Sequence, residues 1–369
     1  MNRAADRIGP SADAESLKLT CYFGERHRTP DGFVADRLLD VFGRGELATS
    51  IMMRGVEGFG LKHGLRTDTS LTLSEDLPAV AVAVDRRARV EAVLDDVAAL
   101  PAIGLITVER ARLLTDGAAP AGPSTDPAEA VRLTVYLGRH ERVGRVPAFV
   151  AVCDLLHRRG LDGATVLLGV DGTVRGERAR ARFFGRNAAV PVMILAVGRG
   201  DRIAAVLPEL DRLLTRPLLT LERLRVAKRD GRTIDPVPVL PVADDQGRAL
   251  FQKIMVLTSE DATYQGRPIH RQLTRWLRRS GAAGSTTLRG VWGFHGDTAP
   301  HGDRPFQVGR RVPTLTVAID TPDRIAAVFP VIDELTSERG LVTSELVPAA
   351  RARTLDGTVG DLGLADHRW

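Results

Sequence analysis

One short stretch occurs three times in this chain, at spacings close to the length of a small domain. Displacing the 369-residue sequence by 114 positions sets Leu168-Gly169-Val170-Asp171-Gly172 on Arg54-Gly55-Val56-Glu57-Gly58. Displacing it by 235 sets Arg289-Gly290-Val291-Trp292-Gly293 on the same five. A repeat this long describes linked domains, because solenoid units run to only about 20 to 50 residues. Three domains of roughly a hundred residues also suit a chain of this size.

The same displacements align a full set of elements. Copy one opens with the half-buried strand pattern Leu17 to Phe23. Thr29-Pro30 then starts a helix carrying Val34, Leu38, Val41 and Phe42 on one face. That face recurs as Ala148, Val152, Leu155, Leu156 and as Ile269, Leu273, Trp276, Leu277, which predicts Trp276 in the core. Strands follow at Ala48 to Met53 and Ala79 to Val84, then a helix with Val90, Val93, Leu94 and Val97, then a last strand from Gly104 to Glu109. Glu109 is answered by Glu222 and Glu345, for which a structural salt bridge is the ordinary reading. The order βαββαβ is the split βαβ unit. The expected fold class is therefore α+β, with three tandem ferredoxin-like domains.

The boundaries read as an unstructured start at 1–16, copy one at 17–115, a linker at 116–130, copy two at 131–226, a second, Pro-containing linker at 227–250, copy three at 251–348 and an element-free tail at 349–369. Formal charge is +5, from 51 basic and 46 acidic residues, which gives no field suited to nucleic acid. No apolar run reaches about 18 residues and no leader pattern opens the sequence, so a cytoplasmic protein not inserted in a membrane is expected. Cys21 and Cys153 occupy non-equivalent positions and read as reduced core thiols. No catalytic set, metal site or cofactor is expected. The cluster His295, Asp297, His301, Asp303 reads as exposed loop.

Between the second and third strands of copy one lie about 23 residues, Gly55 to Leu77, where a hairpin normally takes about 2 to 5. Gly55, Gly58 and Gly60 leave backbone N–H groups approachable, which favours an anion-binding concavity, and Arg54 adds a charged fork. Gly290, Gly293 and Arg289 repeat the pattern in copy three. On the last strands, Arg110 with Arg112, and Arg223 with Arg225, project from one face.

Copy three, from Tyr264-Gln265-Gly266-Arg267-Pro268 through Gly284 to Phe294, resembles the bacterial family called domain of unknown function 190, and Arg54 to Gly60 with Glu75-Asp76-Leu77-Pro78 match it in copy one. The resemblance covers roughly three hundred residues. It implies a PII-like fold, similar to the trimeric nitrogen regulators whose long loop opens with Gly-Phe-Gly, as in Gly58-Phe59-Gly60. In those regulators nucleotides bind between subunits and the loop contacts a partner, membrane transport proteins among them. The phosphate-contacting glycine-rich segment of those regulators is replaced here by Ala99 to Ile103.

Three copies in one chain can close such a ring internally, as a pseudo-trimer with a cleft between each pair. If each loop faces the last strand of the next copy, loop one meets Arg223 and Arg225, loop three meets Arg110 and Arg112, and loop two, with Leu168, meets Leu346 and Pro348. Two competent anion sites and one dead one are then expected. The function this implies is a noncatalytic sensor of a small anionic metabolite or nucleotide, acting on a protein partner through loops 55–77, 169–190 and 290–312. The alternatives are a ligand-independent interaction module and a small-molecule enzyme.

Overall fold

A computed structural model of the chain describes residues 15–60, 64–68, 76–114, 126–174, 177–178, 190–215, 217–236, 240–296, 298–302 and 312–366. Among these residues it is a mixed α/β structure with six helices, and the strand pairings in its sheets are antiparallel. In copy one the strands are Ser16–Gly24, Thr49–Phe59, Pro78–Arg86 and Ile103–Leu114, and the helices Val34–Arg44 and Arg87–Ala99. The first strand lies between the third and the last, with Leu19 opposite Ala83 on one side and Val108 on the other, and the third pairs with the second through Val82 and Ile51. Copies two and three repeat this order.

Strand alternation sends successive residues to opposite faces. Leu17, Leu19, Cys21, Ala79, Ala81 and Ala83 pack under the helices of copy one. Val80, Val82 and Val84 turn the other way, into a central core shared with Leu167, Met193 and Leu195 of copy two and Met255, Leu315 and Val317 of copy three. Both faces of each sheet are thus covered, which is why the third strands read as unbroken apolar runs rather than as alternation.

Backbone pairing closes the three copies into a ring in two ways. The last strands run on from one copy to the next: Leu113 pairs with Thr220, Val226 with Thr343, and Ala350 with Thr107. The second strands also exchange. Their first halves pair with the third strand of their own copy, and the chain beyond crosses to a neighbour's second strand. Gly58 lies opposite Thr286, Gly172 opposite Ile51 and Gly293 opposite Thr165.

Several expectations change. Residues 55–59 are strand rather than loop, because they supply the exchanged half. The tail is not free of elements: Ala349–Thr354 and Gly357–Val359 are strands, and the first closes the ring against copy one. Trp369 and residues 1–14 lie outside the described residues. The second linker is not wholly exposed, since Ala227 and Lys228 are buried in a strand reaching Arg229 and Leu240 and Leu250 are buried too. Trp276 is 36% exposed. The buried face of its helix centres on Ile269, His270, Leu273, Thr274 and Leu277, leaving Trp276 at the edge. Replacing Trp276 with Gln should therefore change the thermal midpoint little, within about 0.5 kcal/mol of stability. Cys21 and Cys153 are free and buried, and burial pushes both thiols up, away from reactivity.

Candidate functional site

The three-fold arrangement places six charged groups on its axis. Lys18, Arg132 and Lys253 hold equivalent positions on the first strands, and Glu109, Glu222 and Glu345 on the last. All six are at least nine-tenths buried. Lys18 bonds Glu222 and lies 3.2 Å from Glu109; Arg132 bonds Glu222 and Glu345; Lys253 bonds Glu109 and lies 2.8 Å from Glu345. Burial works to raise the Glu109 pKa, but Lys18, Lys253 and Arg132 outweigh it and hold the group well below the usual carboxylate range. Burial likewise opposes ionisation of Glu222, and Arg132 and Lys18 overcome it. The three carboxylates sit close enough together to suggest a metal centre. Three cations already neutralise them, so the salt bridges expected of the recurring glutamates are present and the set is structural. The cations were missed in the sequence although they recur at displacements of 114 and 235, those of the repeated stretch itself, while the glutamates recur at 113 and 236.

The glycines of the recurring motif have a packing reason. A Cβ on Gly58 would come 2.5 Å from Ser285 O, one on Gly55 would meet Pro78 at 2.7 Å, and one on Gly290 would meet Thr165 at 3.0 Å. Gly172 and Gly293 have φ of +152° and +151° and leave no room for a Cβ beside Ser50 O and Ala164 O. Strand exchange by itself requires glycine at these positions.

The arginines expected to bind an anion are mostly held by this chain's own carboxylates. Arg54 is 2.8 Å from Glu25, and Arg289 is 2.7 Å from Glu260 and 3.0 Å from Asp68. Arg110 is 2.9 Å from Glu15 and also donates to Ala365 O. Arg225 pairs with Asp235 at 2.6 Å and Asp126 at 3.0 Å. Arg112 and Arg223 are exposed on the strand face away from the axis. The expected loop-to-strand pairing is corrected as well. The described start of loop one pairs with copy three, that of loop two with copy one and that of loop three with copy two, each on a second strand rather than a last one. Among the described residues, then, the intact loops do not pair with the strands that carry those arginines.

A cleft of about 590 Å³ opens at the seam between copies one and three. Its walls include Tyr22, Phe59, Leu105, Phe251, Val317 and Ile319, with Arg353 from the run-on strand at one side. Of the residues expected to bind ligand, Gly60 lines it and the arginines do not. Asp76 forms a clasp at one wall: it accepts the Arg26 N–H at 2.7 Å and lies 3.1 Å from Arg66 and 3.3 Å from His27. In the expected loop cluster, His295 instead lies 3.3 Å from Asp230, and the His301 ring is 3.0 Å from Ala299 O; Asp297 and Asp303 fall outside the described residues.

Beside the cleft, Glu57 is buried where loop one crosses copy three, and one carboxylate oxygen has no partner. Burial raises its pKa from the ordinary 4.5 to about 7, against the pull of Arg271 and Arg275. A carboxyl whose folded-state pKa is raised holds a proton that the unfolded chain has lost. Stability should then fall as pH climbs from about 4.5 to 7 and level off above. Thermal midpoints of wild type and Glu57→Gln across that window check this, and the variant should lack that part of the slope.

The sequence matches the family DUF190, described as "Uncharacterized ACR", over residues 16–113, 130–226 and 251–349. The chain belongs to this family. It carries three tandem DUF190 copies, in line with the resemblance read from the motifs. Among solved structures, aspartate kinase from Synechocystis aligns at 12% identity and a TM-score of 0.21, over 93% of this chain and 45% of the kinase. An anthrone oxidase-like protein aligns at 11% identity and a TM-score of 0.19, over 63% of this chain and 95% of that one. This DUF190 chain thus spans under half the length of the kinase, and likenesses this slight carry no argument about function. Among the described residues, no helix is long and apolar enough to cross a membrane.

Proposed function

We propose that this protein is a PII-like regulatory protein that senses a small metabolite at a seam between its ferredoxin-like copies and passes the state to a protein partner through its long hairpin loops. The observation that carries the reading is the cleft bounded by loop one of copy one and by the second and third strands of copy three. A ligand there touches both copies and the base of a loop at once, the arrangement a sensor needs to couple occupancy to loop position. The strand order and the ring-closing exchange also suit a PII-like assembly made from one chain. A binding role fits the charged groups better than a chemical one. The recurring acids and bases are spent on the axis, and the cysteines are buried under helices.

Thermal denaturation of the intact chain against nucleotides and small anionic metabolites tests the reading. A ligand that binds only the folded state raises stability by about 2.7 kcal/mol at a hundredfold excess over Kd. One or more such ligands are expected, and stabilisation should be lost when Phe59 or Val317 in the cleft wall is replaced by Asp. Stabilisation by none would favour a ligand-independent interaction module.

A further inference from the structure

We infer that the cleft between copies one and three is, among the described residues, the small-molecule site, and that it takes a ligand with an apolar, ring-sized body and one anionic group. The inference rests on the sensor reading for its purpose, while its chemistry follows from the lining.

Each polar group in the wall either has a partner or lacks one. Asp76 is saturated by Arg26, His27 and Arg66. Asp320 accepts the N–H groups of Ala283 and Thr321, both at 2.9 Å. What remains is a cation. Arg353 lines the cleft, and its side chain has no ion pair or hydrogen bond among the described residues. A carboxylate, sulfonate or phosphate suits the guanidinium. The remaining walls are aromatic and branched aliphatic, and the volume is that of an ordinary ligand pocket.

At the seam between copies two and three the matching position carries no cation. Aligning Glu222 with Glu345 puts Asp230 in the place of Arg353, and there Asp230 lies 3.3 Å from His295 while the adjacent Arg229 pairs with Asp162 at 2.6 Å. The run-on strand of copy three thus brings an unpaired cation to one seam.

Fluorescence titration of the intact chain with 8-anilinonaphthalene-1-sulfonate, an aromatic monoanion, and with its uncharged relative N-phenyl-1-naphthylamine tests this. The expected result is saturable binding of one sulfonate per chain, weakened roughly tenfold or more by Arg353→Ala and less by Arg353→Lys, with the uncharged probe indifferent to both. Arg353 is exposed, so both variants should keep the wild-type thermal midpoint. Three equal sites per chain, or equal loss of both probes in Arg353→Ala, would overturn the inference while leaving the sensor reading in place. No saturable binding of either probe would also overturn it. The sensor reading fails separately, if no metabolite stabilises the chain in the thermal screen.

Discussion

Replacing Arg132 with Met should cost about 3 to 5 kcal/mol of stability, among the largest effects of any single substitution in this chain. Its guanidinium bonds Glu222 and Glu345 where water is excluded. The substitution leaves three buried carboxylates facing two ammonium groups. One must then stay charged without a partner or take up a proton, at a free-energy cost either way. The cost arises from the imbalance more than from the ion pairs themselves, since a buried pair replaced whole is often neutral. The double variant Arg132→Met with Glu222→Gln restores the balance and should recover a substantial part of the loss. Denaturant midpoints of the single and double variants decide it. A single variant within about 0.5 kcal/mol of wild type would mean that the axis is open to water.

Replacing Gly293 with Val should also destabilise the chain by several kcal/mol, and locally. At φ +151° a branched residue is strained, and its Cβ would collide with Ala164 O across the exchanged strands of copies three and two. The ladder from Gly163 to Val166 has to part to admit it. Amide exchange should therefore rise first in those residues and in Trp292–His295. A control comes from the first helix, where a Cβ on Gly43 would meet nothing within 4 Å. Gly43→Ala should be neutral or stabilising by up to about 1 kcal/mol. Equal effects at the two glycines would remove the case for strand exchange.

The repeat, the helix faces and the strand sequence were legible because each copy keeps the same periodicities, and periodicity follows from local geometry. The buried glutamates were legible for the same reason. What the sequence concealed depends on partners far away along the chain. Gly55 to Phe59 looks like loop because its strand partner lies more than two hundred residues on. The tail looks irregular because its strand pairs with copy one rather than with copy three. Arg54 and Arg289 looked like free anion binders since nothing in the local sequence announces Glu25, Glu260 or Asp68 as their partners. Lys18, Arg132 and Lys253 ran against the expectation that such residues face water, although their spacing matched the repeat. The cleft was hardest to see, because Arg353 lies in the tail and the other walls come from strands of two different copies.

Small-angle X-ray scattering from the intact chain, at several dilutions, tests most directly whether one polypeptide closes its own ring. Compact folding of 369 residues predicts a radius of gyration of about 21 Å, with the forward-scattering mass of one chain at every dilution. A much larger radius with separate lobes, or a mass that grows toward two or three chains as concentration rises, would contradict the account.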